Sequence, residues 1–87
     1  MAVRDMYPKL LNNLFQHYDN GNIYCVDDIC LDVTKKVHVV YYMDIKTEDT
    51  YVRTVSEFMG YVDRPNPQTG QMERVRRFKK VARREET

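Results

Sequence analysis

The 87-residue chain has no tryptophan, two cysteines, three glycines and three prolines. So little glycine and proline excludes collagen-like and linker-like chains, and two cysteines are too few for a disulfide scaffold. In an extended segment Cys25 and Cys30 would lie roughly 16 Å apart at about 3.3 Å per residue. A bridge needs Cα atoms within about 7 Å, so it would require a sharp bend at Asp27–Asp28. Two small thiols, buried or half-buried, are the expectation. No apolar run approaches the roughly 18 residues of a membrane-spanning helix. The opening MAVRDMYPKLL lacks a basic region followed by an apolar stretch, so neither a signal peptide nor a membrane partner is expected, and a cytoplasmic location is.

Chemistry-bearing motifs are equally scarce. There is no P-loop, no GxSxG and no HExxH. Ser56 is the only serine and precedes Glu57, with no evident base for either. His17 and His38 are isolated, and their spacing from the cysteines is not that of a zinc site. No catalytic residue, metal or cofactor is expected, and the chain reads as a non-enzyme.

What is present fits one small domain. Hydrophobic residues make up 43% of the sequence. A chain this short buries only roughly 60–65% of the surface its unfolded form exposes. A homodimer or higher homo-oligomer is therefore expected to supplement the core.

Residues 1–14 read as a short helical lead-in, with Pro8 in a first turn and Leu10, Leu11 and Leu14 at helical spacing. Residues 15–81 read as a small β domain, and 82–87 as a frayed tail of mixed charge. Asp19-Asn20-Gly21-Asn22 is a turn, because Asn and Gly accept left-handed dihedrals. Ile23-Tyr24-Cys25-Val26 is β-rich, Asp27-Asp28 marks a bend or bulge, and Ile29, Leu31 and Val33 alternate with polar neighbours. Thr34-Lys35-Lys36 is a turn. Val37, Val39, Tyr41 and Met43 share one strand face, with His38, Val40 and Tyr42 on the other; two apolar faces indicate a central strand. A polar loop, Lys46-Thr47-Glu48-Asp49, precedes the strand Thr50-Tyr51-Val52-Arg53. Residues 63–71, DRPNPQTGQ, read as a surface loop at a hairpin tip. Residues 72–84 admit two readings. Met72, Val75, Lys79 and Ala82 share a helical face, whereas a strand would put Arg74, Arg76 and Phe78 on one side and Val75 and Arg77 on the other. Short strands separated by turns predict a mainly β fold, a small barrel or curled antiparallel sheet with a short N-terminal helix.

His17-Tyr18, Gly21-Asn22, then Tyr24 and Val26 resemble the opening "YRHFKGNxYxV" of a small bacterial and phage domain. Val39-Val40-Tyr41 resembles its "VVY" strand. Tyr51-Val52-Arg53 with Phe58 resembles its "WVRPxxMF", and Arg77-Phe78 its closing "RF". These five pieces, in order, are similar to domain-of-unknown-function family sixteen fifty-three and cover roughly residues 15–81. The resemblance implies a Src-homology-three-like barrel and favours strand over helix for residues 74–81. Thr54 replaces the family's proline, Tyr51 its tryptophan, and the lead-in and basic tail look like additions. It carries almost no function, because such barrels host many activities.

Charge is the strongest local signal. Residues 1–73 carry a net −4, and residues 74–87 a net +5. Arg74, Arg76, Arg77, Lys79, Lys80, Arg83 and Arg84 lie in one run without an acid. Such a strip either neutralises phosphates or forms a solvated strand paired with Asp44, Glu48, Glu57 or Asp63. Seven tyrosines are the second signal. Tyr41 and Tyr51 offer faces on which a base can stack, or else they edge the core. Arg53 shares strand parity with Tyr51 and needs a carboxylate, carbonyls or an anionic ligand.

The candidate ligand-binding set is Arg53, Arg77, Lys79, Tyr41, Tyr51, Arg74, Arg76 and Lys80. The function it favours is a non-enzymatic binding module for an anionic ligand, a nucleotide or a nucleic acid. Its sharper form is a phage-type protein that sequesters a nucleotide. The alternative is a protein-interaction module, including a phage inhibitor of a host protein, that uses barrel edges and the 63–71 loop.

Overall fold

The computed structural model describes residues 2–83. The elements run as a 3₁₀ turn (Val3–Met6), β1 (Asn13–His17), β2 (Ile23–Asp32), β3 (Val37–Asp44), β4 (Thr50–Thr54), α1 (Val55–Phe58), β5 (Tyr61–Pro65), β6 (Met72–Arg76) and β7 (Phe78–Arg83). Five strands form an antiparallel sheet in the order β4-β3-β2-β1-β7, and β5 pairs with β6 alone. The fold is mainly β, as the alternation predicts.

The turns follow from short polar side chains that hydrogen-bond their own backbone. Asn20 accepts from the Asn22 amide at 2.8 Å, and Gly21 takes φ 72°, so the chain reverses between β1 and β2. Asp32 accepts from the amides of Thr34 and Lys35 at 3.0 and 3.2 Å, closing β2 onto β3. Asp44 does the same for Lys46 at 2.8 Å. The register between β2 and β3 shifts between Val26 and Asp28. The bulge therefore falls on Asp27, inside the expected bend.

The inner face of the sheet carries Phe15, Tyr24, Val26, Ile29, Val40 and Tyr42, which join Leu10, Val55, Phe58 and Phe78 in one core. Phe58 and Phe78 stack with centroids 4.2 Å apart and planes 9° from parallel. Phe78 also meets Tyr42 at 5.2 Å. Its ring lies 5.9 Å from the Arg53 guanidinium. The sheet thus curls until its two edge strands, β4 and β7, approach through side chains although they share no ladder.

Four local outcomes differ in form from the sequence reading. The N-terminal helix is one 3₁₀ turn, because Tyr7, restricted by the following Pro8, leaves helical geometry at φ −128°; Asn12 at φ 61° then turns the chain into β1. Tyr7 still reaches the core, and its hydroxyl is 2.5 Å from His38 Nδ1. A helix not foreseen, α1, starts at Thr54, whose hydroxyl accepts from the Glu57 amide at 3.1 Å. Residues 72–76 and 78–83 are strand, the form that the family resemblance favours for residues 74–81, but the face pairing expected of one strand does not hold. A bend at Arg77 splits that run between the two sheets, so Arg74 and Arg76 do not share a strand face with Phe78. The main sheet also extends past residue 81, with Ala82 opposite Leu14 and Arg83 opposite Asn13. Arg84 and the rest of the expected tail lie outside the described residues. No helix among the described residues is long and apolar enough to cross a membrane.

Candidate anion-binding cleft

The β6–β7 bend leaves an open cleft of about 1000 Å³ between the β1–β7 side of the sheet and the β5–β6 hairpin. Its floor is aromatic, made by Phe15, Phe58 and Phe78. Lys9, Arg64, Arg76, Lys79 and Lys80 line it, against one carboxylate, Asp19. Arg64 is committed elsewhere: its Nε donates to Glu73 at 3.1 Å and its Nη1 to the Tyr18 carbonyl at 3.3 Å. Lys9, Arg76, Lys79 and Lys80 form no ion pair among the described residues. Four cations without an ion pair among the described residues, set around an apolar floor, create a positive potential that water screens less than on an open surface.

Strand pairing explains how β7 supplies two of these cations. Lys79 stands opposite Gln16 and Lys80 opposite Phe15. As an edge strand β7 is exposed from Lys79 to Arg83, with Phe78 alone buried. The aromatic anchors the strand and leaves the lysines in solvent. Arg76, on the hairpin, lies 5.0 Å from the Tyr61 ring, which orients its guanidinium without neutralising it.

His17 and Tyr18 form the wall beside the β1–β2 turn. The Asp19 amide donates to His17 Nδ1 at 3.2 Å, which places the proton of the neutral ring on Nε2. Burial holds the His17 pKa below its usual value; the charges of Arg53 and Arg77 add to this, and Asp19 opposes it. Arg77 sits half-buried at the bend. Its main chain is fixed by Gly60 and Tyr18 at 3.0 Å each, and its Nε is buried without a hydrogen-bond partner.

The structure distributes the candidate residues over several places. Arg76, Lys79 and Lys80 line the cleft. Arg53 and Arg77 do not line it, although their charges act on His17, which does. Arg53 shares the inner face with Tyr51, as strand parity predicts. Instead of a carboxylate it finds the Tyr42 hydroxyl, to which its Nε donates at 2.9 Å. Tyr51 packs against Tyr42 and Tyr24, with centroids at 5.8 and 6.1 Å. Its phenol titrates above the usual range because of desolvation, with Asp49 adding to the effect. Arg74 does not line the cleft; it shares its strand face with Arg76, lies over the same Tyr61 ring at 5.8 Å and reaches Asp63 at 3.9 Å. Tyr41 lies on the outer face opposite Val52, where the Cys30 thiol raises its pKa.

Lys9 and Arg64 were not singled out by the sequence, because one falls in the lead-in and the other in a proline-rich loop. Tyr18 was legible only as part of a motif. No group of three His, Cys, Asp or Glu among the described residues is placed to hold a metal, and Cys25 and Cys30 form no disulfide. Comparison with protein-family models, curated proteins and solved structures finds no match for this chain.

Proposed function

We propose that this chain is a non-enzymatic, cytoplasmic binding module for an anionic ligand, a nucleotide or a short stretch of nucleic acid. The observation that carries the reading is the cleft itself. Lys9, Arg76, Lys79 and Lys80, without paired carboxylates among the described residues, surround an aromatic floor. Cations of this kind neutralise phosphates, and aromatic and imidazole rings accept a base. Two cysteines without a disulfide between them suit a reducing compartment. The ordered motifs that resemble those of family sixteen fifty-three support placing the chain among small Src-homology-three-like barrels, and nucleotide sequestration is one form the binding takes.

A second reading, a protein-interaction module or inhibitor of a host protein, is favoured by the outer face, where Tyr41 and Val52 are exposed beside the unpaired edge of β4. The same face would serve a homodimer. Fluorescence anisotropy with a labelled single-stranded oligonucleotide, read at several salt concentrations, separates the two. The cleft reading expects log K to fall against log salt with a slope of about −0.7 per phosphate neutralised. A thermal-shift panel of nucleotides covers the small-ligand form; a ligand at 100 times its Kd adds about 2.7 kcal/mol. No salt-dependent binding and no nucleotide stabilisation would remove the proposal and leave the outer face as the functional surface.

A further inference from the structure

We propose that Arg53, His17 and Arg77 form a seat for the terminal phosphate monoester of the ligand, and that this seat grips harder when His17 takes up a proton. The proposal rests on the cleft reading and adds to it the chemical group recognised and its control by pH. The three residues come from separate places, β4, the end of β1 and the β6–β7 bend; two of the side chains lie against the Phe78 ring, and the Arg77 carbonyl accepts from the amide of Tyr18, next to His17, at 3.0 Å. His17 lies 5.0 Å from the Phe78 centroid, the Arg53 guanidinium lies 5.9 Å from it, and Arg77 precedes Phe78 in the chain.

Neither arginine forms an ion pair among the described residues. Among the described residues the charge of Arg53 meets the Tyr42 hydroxyl and the Phe78 ring, and no carboxylate. Arg77 Nε is a buried donor without a partner, an arrangement that costs free energy until an acceptor arrives. Two guanidiniums and an imidazole offer forked and single N–H donors, which matches a group with three terminal oxygens and a double charge.

The groups facing His17 are Arg53 from β4, Arg77 from the bend and Asp19 from the β1–β2 turn. Tyr18 lies against its ring at 4.8 Å, and Arg64 from β5 sits beyond it on the Tyr18 carbonyl. In the free protein burial first, and then the two arginines, disfavour imidazolium, and the incoming proton must displace the Asp19 amide from Nδ1. A dianion between them reverses the sign of the local field, so ligand binding and proton uptake at His17 reinforce one another.

The test follows the His17 ring resonances by NMR from pH 5 to 8, with and without saturating inorganic sulfate, a tetrahedral dianion throughout that range. The proposal expects the His17 pKa to rise by about one unit, which corresponds to about tenfold tighter binding below the transition than above it. At pH 6, adenosine 5′-monophosphate should bind at least about tenfold tighter than adenosine, again one pKa unit's worth of free energy. The variants R53M and R77M should lose that preference, and H17Q should lose the pH dependence while keeping the fold. If an arginine variant fails to fold, the wild-type titration decides. A His17 pKa unmoved by sulfate, or equal affinity for the two adenosine ligands, overturns the seat. If an oligonucleotide without terminal phosphates then still binds and K79Q/K80Q weakens it, the cleft reading stands and the seat alone falls. If it does not bind, both fall.

Discussion

The five-stranded sheet and the β5–β6 hairpin are both antiparallel, and both carry cations, but they are stabilised differently. The core draws side chains from β1, β2, β3, α1 and β7. No residue of β5 or β6 is buried. The hairpin is held by its ladder, by Arg64–Glu73 at 3.1 Å and by Arg74 and Arg76 against Tyr61. Exposed pairs of this kind contribute little each. The sheet therefore carries the stability, and the hairpin, with the exposed side of β7, presents charge. Phe78 is the junction, a core aromatic that fixes the strand on which Lys79 and Lys80 are displayed.

That contrast can be broken most severely at the junction. Phe78→Ala removes the stack on Phe58 and the contacts with Tyr42, Tyr24 and His17. It should cost about 3–5 kcal/mol in urea unfolding, a large fraction of a small domain's stability. Thr54→Ala removes the cap of α1 and should cost about 1 kcal/mol. Acidification acts at His17. Its folded pKa lies below the unfolded value of about 6.5, because burial and two arginines disfavour the charge. Its contribution is fully present above the unfolded pKa and is lost as pH falls through the folded one. Thermal melts from pH 8 to 5 should show this fall, and H17Q should flatten it. Arg76→Gln, on the hairpin, should change stability by about 0.5 kcal/mol or less while weakening ligand binding. A loss comparable to that of Phe78→Ala would show that the hairpin belongs to the core.

Much of the sheet was legible because its signals are local. Asp19–Asn22 carries its own turn chemistry, and paired aspartates at 27–28 announce the bulge. Val37 to Met43 alternates between two apolar faces, which fits a strand with neighbours on both sides. α1 left a signal that went unread, the Thr54-x-x-Glu57 capping pattern. Residues 72–83 were ambiguous for a physical reason. Their helix propensity is real, but it is overridden by an edge that β1 offers to Phe78, a contact more than sixty residues away in the chain. The cleft was half legible. A run of cations was visible, but the bend at Arg77 that divides them between two sheets, and the recruitment of Lys9 and Arg64, depend on tertiary placement.

The central claim is that the concave cleft, and not the outer face of the sheet, meets the ligand. Amide chemical-shift mapping during titration with adenosine 5′-monophosphate tests it most directly. The account predicts perturbations clustered on His17, Tyr18, Arg76, Lys79 and Lys80, with Cys30, Tyr41 and Val52 unmoved. Shifts confined to Cys30, Tyr41 and Val52, or none at any concentration, would contradict it.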